Sequence, residues 1–184
     1  ETGELIHNSA SCGEAGQLGG RNMDKIALIS DIHGNIPAFQ AVLNDIEKRG
    51  IERIICLGDL AGKGPSSAEV VDTVKERCES TVKGNWDWIL TEEHTSLPQL
   101  QEQHQWHRAR LGKERIAFLK SLPLYIEFYM SGRLIRLCHA SPGDLFYRVF
   151  KDTDVSKKLK LFAPTKTLNK PADVVGYGDI HWAY

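Results

Sequence analysis

No stretch of this 184-residue chain approaches the ~20 consecutive apolar residues that a membrane-spanning helix requires. No charged segment followed by an apolar core opens it, as a secretory signal would. Both absences point to a cytoplasmic protein without a membrane partner. Net charge is scarce too: 23 Lys and Arg stand against 24 Asp and Glu, −1 overall. Bulk attraction to nucleic acid or anionic lipid is therefore not expected. The four cysteines lack metal-finger or redox spacing. Cys56, Cys78 and Cys138 read as small hydrophobes in a reducing compartment, and Cys12 is uninformative. Neither G-x-x-x-x-G-K-[ST] nor G-x-G-x-x-G occurs, which argues against a nucleotide-binding switch protein.

What is present is the composition of a folded domain, 41% apolar and 26% charged, in a chain long enough for one core. Residues 1–22 stand apart, with five glycines and no sustained periodicity. They read as a disordered leader, with a single domain over 23–184. "KIALIS" (25–30) is a short apolar run between acidic residues, a buried strand. Asn35 caps the following helix, Pro37 lies in its first turn, and Gly50 stops it; its apolar stripe is Ala38, Val42, Leu43 and Ile46. "RIICLG" (53–58) is a second strand. Ser66 and Glu69 have capping-box spacing before a helix striped by Val70, Val71 and Val74, and "STVKG" (80–84) is a third strand. Such alternation predicts right-handed parallel crossovers. Residues 88–121 read as mostly helical with a break near Gly112. "YIEFYM" and "RLIRLCH" form a hairpin about Ser131-Gly132, "VSKKLKLF" is a candidate helix, and "DVVGYG" (173–178) is a last strand. The fold class is α/β with an antiparallel portion.

Chemistry-bearing residues recur at one place in this pattern. The first strand ends in Asp31 and His33, the second in Gly58-Asp59, the third in Gly84-Asn85, the hairpin in His139, and the last in Gly178-Asp179-Ile180-His181. Ligands of open α/β sheets bind beyond the carboxyl ends of the strands, so these side chains are expected to converge. Residues two apart on an extended segment point the same way, which suits the pairs 31/33 and 179/181. Mixed oxygen and nitrogen donors suit Mn, Fe, Ni or Zn. About seven donors are too many for one tetrahedral ion and fit two ions sharing a carboxylate.

The ordered blocks D-I-H (31–33), G-D (58–59), G-N-W-D (84–87), C-H-A-S-P (138–142) and G-D-I-H (178–181) resemble those of the calcineurin-like metallophosphoesterases, closest to their small bacterial and archaeal phosphodiesterase branch. The resemblance implies a β-sandwich of mixed sheets flanked by helices. It implies that Asp31, His33 and His181 hold a first divalent ion, that Asp59 bridges, and that Asn85, His139 and Asp179 hold a second. It further implies a phosphoesterase that hydrolyses phosphodiesters or activated phosphomonoesters by a two-metal hydroxide mechanism. Asp59, Asn85 and Asp87 are then catalytic candidates, with Asp87 orienting a ligand imidazole. The substrate is a small phosphoester or nucleotide, and a homo-oligomer remains open.

Three departures qualify the resemblance. Family members usually carry His where Asp179 stands; the added charge lowers the Lewis acidity of the second ion. Many members have a His and a second Asp, at the positions of Trp86 and Gly62, that protonate the leaving group. Their absence favours substrates with good leaving groups. Family chains usually continue past the last block, so a trimmed C-terminus or a fragment is implied. These departures keep a rival reading alive, a weak or inactive phosphoesterase-fold scaffold for protein–protein interaction. Elsewhere, Lys63 reads as a solvated lysine, with phosphate steering as the alternative. His94, His104 and His107 read as a solvated face or lid. Trp86, Trp88 and Trp106 read as packing residues, and Lys157, Lys158 and Lys160 as a solvated helix face.

Overall fold

The computed structural model describes residues 3–6 and 25–182. The first parallel crossover starts from β2 (Ile26–Ile29) and returns through α1 (Ile36–Lys48) to β3 (Arg53–Cys56). The Asn35 side chain accepts from the Ala38 amide at 3.2 Å, and Pro37 occupies the first turn, where its missing N–H costs nothing. Gly50, at φ 63°, ends α1: its N–H goes to the Glu47 carbonyl and that of Ile51 to the Ile46 carbonyl, a Schellman pair. The buried stripe of α1 is Phe39, Leu43 and Ile46, at i, i+4 and i+7. Ala38 and Val42 face outward, because Phe39 rather than Ala38 supplies the first contact with the core.

The second crossover runs through α2 (Ser67–Arg77) to the two-residue strand β4 (Ser80–Thr81). Val70, Val71 and Val74 are buried as expected. The Ser66 side chain makes no cap bond; its N–H instead meets the Gly34 carbonyl at 3.0 Å, which docks the helix start on the loop after β2. β4 stops early because the Lys83 amide leaves the ladder for the Pro123 carbonyl. The helices α3 (Asn85–Thr91) and α4 (Gln101–Ser121) follow, and Gly112 breaks α4 at φ 70°, ψ 171°. β5 (Tyr125–Met130) and β6 (Arg133–Cys138) pair antiparallel through Ser131 and Gly132, both left-handed as a two-residue hairpin turn requires. A short helix, α5 (Val155–Leu159), precedes β7 (Val174–Tyr177), which lies parallel to β6.

Two sheets result, β2-β3-β4 and a four-stranded one in the order β1 (Gly3–Leu5), β5, β6, β7. Alternation along β3 joins the layers. Ile54 and Cys56 face the helices, packing with Leu43, Val71, Leu90 and Leu119. Ile55 and Leu57 face the second sheet, packing with Ile126, Phe128 and Leu137. On that sheet's outer side, fully buried Arg136 donates to Glu127 at 2.7 Å and to the carbonyls of Leu161 and Ala163, tying residues 160–165 down. Hydrogen bonds on every side make such a pair tolerable away from water.

The edge strand β1 (Gly3–Leu5) corrects one expectation. It pairs parallel with β5, Gly3 opposite Tyr125, so residues 3–6 belong to the fold rather than to a disordered leader, and the domain draws a strand from before residue 23. The remaining leader positions, Cys12 among them, lie outside the described residues. Cys56 and Cys138 are buried; burial pushes the Cys138 thiol up to about 12 and that of Cys56 well above its usual value. Among the described residues no helix is long and apolar enough to cross a membrane.

Candidate metal centre

The loops that leave the strand ends are held in an uncommon backbone conformation. Asp31, His33, Asp59, Lys63, Asp179 and His181 have φ of 58°, 49°, 54°, 59°, 65° and 52°. Each such non-glycine residue costs on the order of 1 kcal/mol, and six of them in one cluster require compensating contacts. Part of the compensation is a continuation of the ladder beyond β2 and β3. The amides of Asp31, His33 and Gly34 donate to the carbonyls of Gly58, Asp59 and Leu60 at 2.9–3.0 Å. Two glycines let the loops meet: a Cβ on Gly58 would lie 2.5 Å from the Gly84 nitrogen, and one on Gly84 would lie 2.1 Å from Asp59 Oδ1.

These loops bring all seven expected ligands together. Two groups have ligand atoms within 4.8 Å of one another, Asp31 with His33 and His181, and Asp31 with Asp59 and His139. Asp59 reaches toward both: Oδ2 is 3.5 Å from His33 Nε2 and Oδ1 is 3.5 Å from His139 Nε2. Asp179 Oδ1 is 3.7 Å from His139 Nε2 and accepts from Asn85 Nδ2 at 2.8 Å. Because Nδ2 is committed to Asp179, Oδ1 is the atom that Asn85 can offer an ion. His139 Nδ1 lies 2.8 Å from the Leu57 carbonyl, so it carries the proton and leaves the Nε2 lone pair for a ligand.

The donor set fits a cation, and buried atoms show it. Asp31 Oδ1 and His139 Nε2 are both buried without a hydrogen-bond partner, a condition that natural interiors avoid. Burial alone would lower the His139 pKa, but Asp179, Asp59 and Asp31 outweigh it and push it up to about 11. Negative charge is thus concentrated around Nε2. Burial raises the Asp179 pKa, yet the neighbouring His139 and the bonded Arg148 prevail and hold its carboxyl well below the usual range.

Asp87 corrects another expectation. It orients no imidazole. Its Oδ2 accepts from the amides of Asp59 and Gly84 at 2.8 and 3.0 Å, and its Oδ1 from those of Leu60 and Ala61 at 3.0 and 3.3 Å. This carboxylate is fully buried and pins the Asp59 backbone from behind. Burial and then the Asp59 charge push its pKa up to about 7, against the Gly84 and Ala61 amides.

The histidines of α4 depart from expectation, and Lys63 and Trp86 gain a place beside the site. Lys63 is exposed, as expected of a solvated lysine, yet its Nζ lies 2.8 Å from His33 Nε2 and over the Trp86 ring. Burial lowers the His33 pKa, Asp59 opposes this, and the Lys63 charge reinforces it. Trp86 walls the site edge-on to His33, and Trp88 and Trp106 pack edge-on to Phe146 and His107, as expected, while 40% and 38% exposed. His104 and His107 are buried, not part of a solvated face. His104 Nε2 lies 3.0 Å from the Ile89 carbonyl, and His107 Nδ1 lies 3.0 Å from Ser67 Oγ, which also accepts from the Gly62 amide at 3.1 Å. The chain His107–Ser67–Gly62 thus braces the Asp59–Lys63 loop against α4. Ser67→Ala is expected to cost about 1–2 kcal/mol, because it orphans a buried amide. Urea unfolding monitored by circular dichroism measures this, and an unchanged midpoint would deny the brace.

Comparisons with known proteins agree with this geometry. The family model for the calcineurin-like phosphoesterase superfamily domain matches residues 24–184. The uncharacterized protein MJ0912 of Methanocaldococcus jannaschii is 40% identical over 122 residues, 64% of this chain and 49% of that one. The crystal structure of a metallophosphoesterase from Sphaerobacter thermophilus superposes with a TM-score of 0.58 at 30% identity, covering 70% of this chain and 52% of that one. The hypothetical protein PH1004 of Pyrococcus horikoshii OT3, at 21% identity and a TM-score of 0.63 over 74% of this chain and 63% of its own, shares the fold. The chain therefore spans about half the length of the relatives it matches.

Proposed function

Because this chain belongs to the calcineurin-like phosphoesterase superfamily, we propose that it is a hydrolase of phosphodiesters or activated phosphomonoesters that works with two divalent ions. The observation that carries this reading is the pair of orphaned buried atoms, Asp31 Oδ1 and His139 Nε2, in a pocket rich in carboxylates. Asp31, His33 and His181 would hold one ion and Asn85, His139 and Asp179 the other, with Asp59 between them. Such ions supply Lewis acidity toward phosphoryl oxygens and make water a nucleophile at neutral pH.

The chain's own groups do the rest. Asp87 and the Ser67 brace keep Asp59 in a strained conformation, ready to serve both halves. Lys63, beside His33, offers an ammonium to phosphoryl oxygens as charge builds on them. Trp86 excludes water from one wall and brings no proton to a leaving group, so substrates with acidic leaving groups are favoured. Small phosphoesters or nucleotides are the substrate class, Mn, Fe, Ni or Zn the ions, and a reducing cytoplasm fits the unpaired Cys56, Cys78 and Cys138.

One assay tests the proposal. Turnover of bis(p-nitrophenyl) phosphate is expected with Mn²⁺ and is expected to vanish with a chelator and return on re-addition. The rival reading, a phosphoesterase-fold scaffold, is favoured by the two-pronged ion pair that already satisfies Asp179. Absence of turnover with Mn²⁺, Fe²⁺, Ni²⁺ and Zn²⁺ would select it.

A further inference from the structure

Asp179 has a partner that a two-ion site does not need. Arg148, in the segment between β6 and α5, lays its guanidinium along the carboxylate, Nε donating to Oδ2 at 2.7 Å and Nη2 to Oδ1 at 3.0 Å. Oδ1 is also the oxygen nearest His139 Nε2, and it already accepts from Asn85. The atom through which Asp179 would reach an ion therefore carries two donors, one of them fully charged. The Asp179 side chain is 3% exposed, so its end of the pair is shielded from solvent.

The first half of the site is less obstructed. There Lys63 makes one bond to an imidazole, from an exposed and flexible stem. At Asp179 the competitor is a planar fork with two bonds to a carboxylate. A divalent ion arriving beside Asp179 would also meet the guanidinium charge at close range, where like charges repel strongly. Arg148 has somewhere to go: its side chain is 51% exposed.

We propose that Arg148 is a specificity-determining residue that sets the affinity of the second ion by competing with it for Asp179, so that the two halves of the site fill in separate steps. This rests on the two-ion reading above. Chelator-stripped full chain is titrated with Mn²⁺ in a calorimeter, and the signal of exchange-coupled Mn²⁺ pairs is followed by electron paramagnetic resonance. Wild type is expected to bind a tight ion and then a weaker one. Arg148→Ala is expected to tighten the weaker event by about tenfold or more and to leave the tight one within about twofold. The coupled-pair signal then appears at lower Mn²⁺. Arg148→Lys, which keeps charge but loses the fork, is expected to fall between, and it carries the comparison should the alanine variant fail to fold. A weaker event that is unchanged or further weakened in the variants overturns the proposal alone. Absence of any bound Mn²⁺ in wild type overturns the two-ion reading and this proposal with it.

Discussion

Asp59→Asn is expected to lose about 10³-fold in kcat/KM toward bis(p-nitrophenyl) phosphate, ~4 kcal/mol of transition-state stabilisation. Asp59 presents one oxygen to His33 and the other to His139. An amide offers a single oxygen and no charge, so it serves at most one half of the site. Elemental analysis is expected to show fewer ions per chain after dialysis, with the circular dichroism spectrum unchanged. The same substitution has a second readout of opposite sign. Asp59 is a buried charge whose field is one of the two main causes that raise the Asp87 pKa. Removing it relieves repulsion, so in chelator the variant is expected to melt higher by a few degrees, about 1 kcal/mol for a chain of this size. Full activity in the variant would mean that Asp59 does not bridge. A lower melting temperature in chelator would mean that its charge is already compensated in the folded protein.

Asp87→Ala is expected to be the most destabilising change near the site. Four buried amides, those of Asp59, Leu60, Ala61 and Gly84, donate to this one carboxylate. Each orphaned donor costs about 1–3 kcal/mol. Water entering the space recovers part of this, so a net loss of about 4 kcal/mol and a drop of roughly 10 °C in Tm are expected. Asp87→Asn does little better, since its amide nitrogen faces two donors. Differential scanning calorimetry measures the drop. In conditions where the variant is still folded, Mn²⁺ affinity is expected to fall as well, because the Asp59 backbone at φ 54° has lost its anchor. A Tm within about two degrees of wild type would mean that the crossing loops at Gly58 and Gly84 hold themselves.

The candidate ligand positions were legible from sequence because each sits next to a local signal. Asp31, Asp59, Asn85, His139 and Asp179 follow apolar runs of strand length, several after a glycine, although the strands they end belong to two sheets whose carboxyl ends meet. The hairpin at Ser131-Gly132 and the break at Gly112 were readable for the same reason: their backbone demands are local. Asp87 lay in a recognisable block, yet its partners lie 26 to 28 residues away in the chain, except for Gly84. Nothing in its neighbourhood distinguishes an acid facing an imidazole from one facing four amides. His104 and His107 were misjudged alike. A polar side chain reads as solvated until a distant element covers it, as α4 covers Ser67 and its loop. Arg148 carried no signal, since the residue it meets is 31 positions further on.

By itself the sequence determined which residue types end the strands, the α/β order of elements and the family blocks, because strand period, caps and turn glycines act over a few residues. Only the tertiary structure decided where side-chain charge and hydrogen-bonding capacity are spent. Asp87 serves backbone, Lys63 lies against His33, Arg148 grips Asp179, and Gly3–Leu5 completes a sheet. The physical reason is that the energy of a buried polar group depends on the partner it meets after folding, and that partner is set by contacts across the whole chain.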